Sequence, residues 1–203
     1  MTRWKYKLLC ILTIGTMSAE LNAQNFDTKN ELAIGTGAGL VSGILNQVLK
    51  DDALKYSFTN TPVYTIAYDR RINNWLQLGA NFTQQFMTVN FEEYADNEGI
   101  LQTGDFEANL QRRQIHVRAF GYCEVNRFRF RSGLRFGLGR WKADVNTENK
   151  ELKFIDRLAG LTLPSLGIMI IGLDYRPTKW MSLGTEVNLL SPQLVGANVQ
   201  IHF

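Results

Sequence analysis

Arginines recur at alternate positions between residues 127 and 135, with aromatic and aliphatic residues between them. Alternate residues of a β-strand face the same side, so this segment presents one charged face. Other segments place acids and a further arginine on the corresponding face. The predicted interior charges are Glu31, Asp69, Arg118, Glu124, Arg127, Arg129, Arg131, Arg135, Asp174 and Glu186. Because unpaired buried ions cost several kcal/mol each, we expect a hydrogen-bonded ion network.

Such a network has two interpretations. It could form a gated or ion-selective passage, or it could fill an enclosed space as structural packing. An eight-stranded barrel has an interior just wide enough for side chains, which favours structural filling. His116 shares the predicted inward orientation and could add a pH-sensitive group, although a hydrogen-bonded interior histidine is the simpler interpretation.

A second group of residues has the types needed for nucleophilic catalysis. Counting antiparallel neighbours across the last connection places Ser182 beside His202, and closure of the last strand on the first brings Glu31 near. A chance meeting of inward polar residues is the competing explanation, and we assign no catalytic residues. A serine two positions after His116 would suggest a lipid deacylase, but Arg118 stands there.

Few residues are suited to bind metals. Without the leader described below, Cys123 is the only cysteine, which excludes an intramolecular disulfide and a cysteine-based metal site. The segment 92–107 contains six carboxylates and neither lysine nor arginine. These carboxylates could bind divalent cations, but their spacing fits no calcium-loop template. We therefore predict a solvated loop there, and no metal or cofactor.

The elements that must position these side chains are β-strands. Period-two alternation recurs along the chain, interrupted by polar segments containing Asn, Asp, Gly or Pro. An apolar stripe of helical period is missing from the sequence, so the fold is predicted to be all-β. The predicted strands are 31–42, 61–70, 75–91, 107–124, 127–142, 158–175, 180–190 and 194–203, with one helical turn within 43–57.

The apolar face of each strand is predicted to point outward. In the last strand, Val199 and Ile201 alternate with Asn198 and Gln200. Alternation alone also fits a soluble barrel whose apolar face lines a cavity. Long connections after the first, third and fifth strands, short ones after the second, fourth and sixth, and a final strand ending on Phe203 favour a membrane barrel. We predict an eight-stranded antiparallel up-and-down transmembrane β-barrel.

Two segments of the sequence share the same pattern of residues at an offset of 174 − 69 = 105 residues. Asp69, Arg71, Trp75, Leu76, Leu78 and Gly79 match Asp174, Arg176, Trp180, Met181, Leu183 and Gly184 without gaps. The repeat predicts two hairpins on opposite walls, with Asp and Gly inward. Trp75 and Trp180 follow the turns and are predicted as rim aromatics at a membrane interface. Both tryptophans have the parity of the inward positions of their strands. Tryptophans buried in the core are therefore the alternative.

The N-terminus has the organisation of a secretory signal peptide. Three basic residues precede an apolar stretch from Leu8 to Ala19. We predict a signal peptide over 1–23, cleaved after Ala23 or alternatively after Ala19, and a barrel domain over 24–203. Without the leader the formal charge is (22 − 3) − (19 − 1) = +1, which leaves no basic surplus for nucleic acid. Hydrophobic and charged fractions of 45% and 20% exclude a disordered chain.

The leader, the eight alternating strands, the short turns and the terminal Val199, Gln200, Ile201, His202 and Phe203 together resemble a known family. It is the small eight-stranded outer-membrane β-barrel family of Gram-negative bacteria, of the OmpX and OmpA-barrel type, with its generic outer-membrane β-barrel domain. The resemblance is architectural. It implies location in the cell outer membrane, contact with outer-membrane lipid and lipopolysaccharide, and insertion by the barrel-assembly machinery with Phe203 as the assembly signal.

A barrel of this size does not imply one activity. We expect a monomeric, non-enzymatic barrel with a plugged polar interior, which contributes to envelope integrity or surface contacts through long outer loops. A lipid A modifying enzyme is the alternative from a different class. A small carrier of hydrophobic compounds is the third possibility.

Overall fold

The computed structural model describes residues 28–39, 53–95, 101–145, 160–191 and 193–203. Each strand pairs antiparallel with the next in sequence, and the last pairs with the first. The strands are β1 (Asn30–Ala38), β2 (Ala53–Arg71), β3 (Leu76–Ala95), β4 (Leu101–Val125), β5 (Phe128–Val145), β6 (Thr162–Tyr175), β7 (Met181–Leu189) and β8 (Val195–His202). The predicted eight-stranded up-and-down barrel is confirmed. The predicted signal peptide lies outside the described residues.

Within those ranges, none of the chain forms a helix long and apolar enough to cross a membrane.

Short turns join the strands at one end of the barrel, which we call the turn end. They comprise residues 72–75, 126–127 and 176–180. Asn126 takes a left-handed backbone conformation with φ 56°, which asparagine tolerates better than most residues. Arg127 follows it and is exposed. The prediction that Arg127 faces the interior is wrong, because the turn interrupts the pleat that orients alternate residues.

Four strands, β2 to β5, extend further at the opposite end, the loop end, than the sequence predicted, whereas β6 begins at Thr162 and leaves out residues 160–161 of the predicted sixth strand. β2 already begins at Ala53, so the predicted helical turn is wrong for residues 53–57; residues 43–52 of it are not described. Residues 92–95 and 101–107 are strand, so the predicted acidic loop is mostly the tip of the β3–β4 hairpin. The described part of β1 pairs with β2 only as far as Val63. β2 to β5 therefore continue beyond the barrel as a projecting sheet.

The side of each strand that carries the apolar residues changes where this projecting sheet begins. On β4, outward Ile115 is 64% exposed, while inward Leu110, nearer the loop end, is buried. On β5, outward Leu138 is exposed and inward Trp141 is buried, and β3 changes in the same way. Apolar side chains thus face outward along the barrel and inward in the projecting sheet. The predicted third, fourth and fifth strands already cross this reversal, because they reach residues 91, 107 and 142.

The β7–β8 connection folds into the mouth of the barrel at the loop end. Gln193 is buried there. It accepts a hydrogen bond from the Thr65 hydroxyl at 3.0 Å and donates one to the Thr36 carbonyl at 3.3 Å. Gly37 and Gly196 are cross-strand neighbours, and a Cβ atom on either would overlap Gln193. The glycine pair therefore provides the space that the glutamine fills.

The barrel interior as the candidate functional site

The two faces of the barrel wall differ sharply in chemistry. Outward Ile115 and Phe136 are each 64% exposed, whereas inward Glu31, Arg129 and Asp174 are at most 1% exposed. The predicted orientation of the strands is therefore observed, with apolar rows outside and ionic rows inside. Removing these ions from water is costly unless each has an opposite charge and hydrogen bonds.

Glu31 on β1 is the centre of the interior ion network. Arg129 donates to its Oε1 atom. Arg71 Nε and Arg176 Nη2 lie 3.3 and 3.4 Å from the same oxygen, and Gln77 Nε2 donates to Oε2 at 2.8 Å. These donors come from β5, β2, the β6–β7 turn and β3. One carboxylate thus links five parts of the barrel.

Two more carboxylates take part in the network around Glu31. Asp174 accepts from Arg129 Nε and from Arg131 Nη2, both at 2.8 Å. Glu124 lies 2.6 Å from Arg71 Nη2 and 3.1 Å from Arg176 Nη1. Guanidinium groups suit this arrangement because their fork of N–H groups binds several oxygens at once.

Two separate ion pairs lie further along the barrel. Arg118 donates two hydrogen bonds to Asp69, through Nε at 2.5 Å and through Nη2. Arg135 Nη2 donates to Glu186 at 2.8 Å. The buried Phe120 ring lies between them, 5.1 Å from the Arg118 guanidinium and 5.8 Å from that of Arg135. The aromatic face adds a favourable cation–π contact to each arginine.

Of the charges predicted from parity, only Arg127 lies outside this set of contacts. The prediction missed Arg71 and Arg176 because the predicted strands ended at residues 70 and 175, although the two arginines have the same parity as the inward Asp69 and Asp174. The sequence carried a signal for them, since they occupy equivalent positions in the 105-residue repeat (176 − 71 = 105). In the structure both arginines contact the same two carboxylates, Glu31 and Glu124.

The repeat also places an aspartate opposite a glycine in each copy. Asp69 pairs with Gly79 across β2 and β3, and Asp174 pairs with Gly184 across β6 and β7. A Cβ atom on either glycine would overlap the Oδ1 atom of the facing aspartate. In the first copy the carboxylate lies across Gly79 and reaches Arg118 on β4. Only glycine leaves room for the aspartate side chain at this position, and the carboxylate can then reach an arginine.

We predict that Gly79→Ala lowers the free energy of unfolding by about 1–3 kcal/mol, because the added methyl group displaces a paired carboxylate. The measurement is urea unfolding of the protein folded into lipid vesicles. Gly121→Ala is the matched control, since the nearest atom to its Cβ would be 3.8 Å away, and its effect should stay within about 0.5 kcal/mol. Equal stability of the two variants would contradict the proposed role of Gly79.

The structure brings Ser182, His202 and Glu31 together, as strand counting predicted. Ser182 Oγ lies 2.9 Å from His202 Nε2, and His202 Nδ1 lies 3.4 Å from Glu31. However, Arg176 Nη2 lies 3.1 Å from His202 Nδ1. The same Nδ1 atom therefore lies near a donor, Arg176, and an acceptor, Glu31.

The surroundings of Ser182 do not suit a nucleophile. A catalytic serine donates its hydroxyl proton to the histidine that acts as general base. Here the Ser182 hydroxyl donates to Gln200 Oε1 at 3.0 Å. Ser182 is also fully buried. The three residues therefore form a structural hydrogen-bond chain.

Layers with fewer charges follow the ion pairs towards the loop end. His116 Nε2 lies 2.9 Å from the Ser165 hydroxyl, which fits the interpretation of a hydrogen-bonded interior histidine. The next layer places Arg112 over the Trp141 ring at 5.1 Å. Beyond it lie buried apolar side chains, among them those of Val63, Met87, Val89, Ala108 and Leu110.

The space left inside the barrel is small. A cavity of about 10 Å³ lies beside Arg118, Arg131 and Glu186, which is room for about one water molecule. In the part of the chain that the structure describes, no group of three or more His, Cys, Asp and Glu side chains is arranged to hold a metal ion.

The aromatic residues at the turn end are exposed. Trp75 and Trp180 are 62% and 58% exposed and precede β3 and β7 directly. The alternative of core tryptophans is therefore wrong, as is the inward orientation suggested by parity. Phe203 is also exposed, and its backbone pairs with that of Asn30 at 3.0 Å. The roles of these residues as interface anchors and assembly signal stay predictions.

The chain is similar to small outer-membrane barrels of known structure. The crystal structure of Ail, the attachment invasion locus protein of Yersinia pestis, is 11% identical, with a TM-score of 0.45, and the match covers 86% of this chain and 95% of that one. Neisserial surface protein A is 13% identical, with a TM-score of 0.46 and coverage of 86% and 96%.

The N-terminal β-barrel domain of Pseudomonas aeruginosa OprF is 14% identical, with a TM-score of 0.39 and coverage of 87% and 99%. Similarity at this level concerns the shape of the fold and adds nothing on activity or partners. No family model and no curated protein matches the sequence.

Proposed function

We propose that the chain is a non-enzymatic integral protein of the outer membrane, which contributes to envelope integrity and to surface contacts through its projecting sheet and outer loops. In this proposal a signal peptide directs export, the barrel-assembly machinery inserts the monomer through its last strand, and outer-membrane lipid with lipopolysaccharide surrounds it. Neither a cofactor nor nucleic acid takes part.

The observation that carries the proposal is the inverted distribution of side chains in the barrel wall. Outward apolar positions on β5 run from Phe128 to Leu138, interrupted only by Ser132. Those ten residue steps at about 3.3 Å each, tilted by about 40°, span about 25 Å. That height is typical of the lipid-facing band of outer-membrane barrels. A soluble barrel would not leave such a band in water.

The filled interior supports a structural role rather than transport. The arginine–carboxylate network occupies the turn end, and apolar side chains close the loop end. Eight hydrogen-bonded strand pairs leave no lateral opening among the described strands. A carrier of hydrophobic compounds would need an apolar cavity reaching the wall, so these features disfavour that alternative.

The alternative of a lipid A modifying enzyme has its own test. The Ser182–His202 pair is the residue pair that would serve it, but Ser182 is fully buried and its hydroxyl donates to Gln200. We expect the mass spectra of lipid A from a deletion strain, and from one carrying Ser182→Ala, to equal that of the wild type. A changed acylation or phosphorylation pattern in either strain would restore the enzymatic hypothesis.

We expect the protein to fractionate with the outer membrane and to migrate differently on gels before and after boiling, because a closed barrel resists unfolding in detergent at room temperature. The control is a periplasmic protein of similar mass, which should remain soluble and show no heat-dependent shift. Recovery of the chain in the soluble periplasmic fraction would contradict the proposed location.

A further inference from the structure

We propose that a small monovalent inorganic anion, such as chloride, binds inside the barrel beside Arg118 and Arg131. The site is the enclosed cavity of about 10 Å³ that these two side chains line. Three observations support it: the balance of the interior charges, the clustering of arginines at the cavity and the size of the space. All three concern the interior, so the proposed location in the outer membrane is not needed for them.

The interior holds more positive than negative charge. Among the side chains that the structure describes, seven arginines point inward against five acids, which leaves an excess of two positive charges (7 − 5). The arginines are Arg71, Arg112, Arg118, Arg129, Arg131, Arg135 and Arg176, and the acids are Glu31, Asp69, Glu124, Asp174 and Glu186. The other described charged side chains are exposed. A buried positive charge without a counter-ion is costly, so this interior favours the uptake of an anion.

Part of the excess lies at the cavity. Arg131 Nη2 donates to Asp174 at 2.8 Å, but Asp174 also accepts from Arg129 Nε at 2.8 Å. The four arginines of the network around Glu31 therefore share three carboxylates. Arg131 is the member of this network that lines the cavity. An anion placed there would complete the neutralisation of the network.

A cluster of guanidinium groups lies around the same space. The guanidinium carbon atoms of Arg118, Arg131 and Arg135 lie 5.1, 5.7 and 5.8 Å from the centre of the Phe120 ring. Like charges gathered this closely repel one another in a medium of low dielectric constant. Glu186 also lines the cavity, but it accepts a hydrogen bond from Arg135 at 2.8 Å, which offsets its charge. The field at the cavity is therefore positive.

Small residues on the facing wall create the space. Ala33 on β1 and Ala67 on β2 are cross-strand neighbours, and Gly35 is the next inward position on β1. All three line the cavity opposite the arginines of β4 and β5. The volume suits one water molecule or one ion of similar size. Water would bring no charge, and a tetrahedral oxyanion such as sulfate is too large, so a halide fits both requirements.

The first measurement is urea unfolding in lipid vesicles as chloride replaces gluconate at constant ionic strength, from about 10 mM to about 1 M chloride. An anion bound only by the folded barrel lowers the unfolding constant in proportion to its concentration once the site is filled. We therefore expect a tenfold lower unfolding constant for each tenfold rise in chloride, which is about 1.4 kcal/mol. Gluconate is the reference anion because it is too large for the cavity.

Two variants remove the site in different ways. Arg131→Gln removes the charge, whereas Ala67→Val fills the space and keeps every charge. The controls make the same changes outside the site, namely Arg70→Gln at an exposed cation of the turn end and Ala80→Val at an exposed position of the outer wall. The chloride dependence compares each protein with itself, so a lower stability of one variant does not alter the result. Ala67→Val alone decides the outcome if Arg131→Gln does not fold.

Wild type and both controls should show the tenfold dependence, and both site variants should lose it. Crystals of the wild-type barrel grown in bromide should show an anomalous scattering peak beside Arg118 and Arg131. A wild-type unfolding constant that is independent of chloride would overturn the proposal, as would a chloride dependence that persists in Ala67→Val. A cavity without bromide in those crystals would overturn it too. None of these results bears on the fractionation experiment, so the two proposals can fail separately.

Discussion

Arg129→Met is expected to lower the free energy of unfolding by about 3–5 kcal/mol, the typical cost of removing one partner from a buried ion pair. Arg129 is fully buried and bonds to both Glu31 and Asp174. Without the guanidinium, these two carboxylates lose their shared counter-ion in a space closed to bulk water. Methionine preserves most of the volume, so the loss reports charge rather than a cavity. Urea unfolding in lipid vesicles measures it.

Arg127→Met provides the control for this experiment. The same substitution two residues earlier removes an exposed side chain in the β4–β5 turn, and we expect an effect within about 0.5 kcal/mol. A stable Arg129→Met variant would mean that Arg71, Arg131 and Arg176 neutralise both carboxylates without Arg129. The central role assigned to Arg129 would then be wrong.

Leu134→Arg should destabilise the folded barrel by about 2–4 kcal/mol, the cost measured for arginine near the bilayer midplane. Leu134 is 56% exposed and lies near the middle of the outward row from Phe128 to Leu138. Leu138→Arg makes the same change on the same face at the edge of the row. Its cost should fall to about 0–1 kcal/mol, because the penalty declines towards the interface.

The readout is again unfolding in lipid vesicles, supported by the fraction of each variant that inserts. The comparison of two arginines on one strand removes differences in propensity and charge. Equal costs at the two positions would contradict the assigned depth, and negligible costs at both would mean that this wall does not face hydrocarbon.

Much of the barrel could be predicted from the sequence because a β-strand has a period of two. Once Phe130 and Leu134 are assigned to the outside, Arg129, Arg131 and Arg135 must lie inside, and the strand order brings acids opposite them. The same rule failed at Arg127, where the chain turns. Arg71 and Arg176 were missed because the predicted strands ended just before them, although the internal repeat places both at equivalent positions.

The extent of the strands was harder to predict for a different physical reason. Parity is continuous through β4, but the outer face changes from apolar to polar at Arg113. Beyond that position the inner face carries the apolar residues, such as Leu110 and Trp141. The acidic segment 92–107 was predicted as a loop because carboxylates and polar residues are typical of connections, whereas strand pairing continues through residues 92–95 and 101–107.

Proximity of catalytic residue types was predictable, but their surroundings were not. Strand counting placed Ser182 beside His202 with Glu31 near. The contact of Arg176 with His202 comes from the β6–β7 turn, and the acceptor of the Ser182 hydroxyl is Gln200. Sequence spacing carries no information about either contact.

The position of Glu31 has a consequence for assembly. It lies on the first strand of the cylinder, beside the last strand, and its oxygens bind side chains from three other regions of the wall. A half-formed sheet could satisfy only some of these groups and would expose the remainder to hydrocarbon. The pairing of β1 with β8 and the neutralisation of the interior charges must then occur together. Insertion should therefore be an all-or-none event without a stable open intermediate.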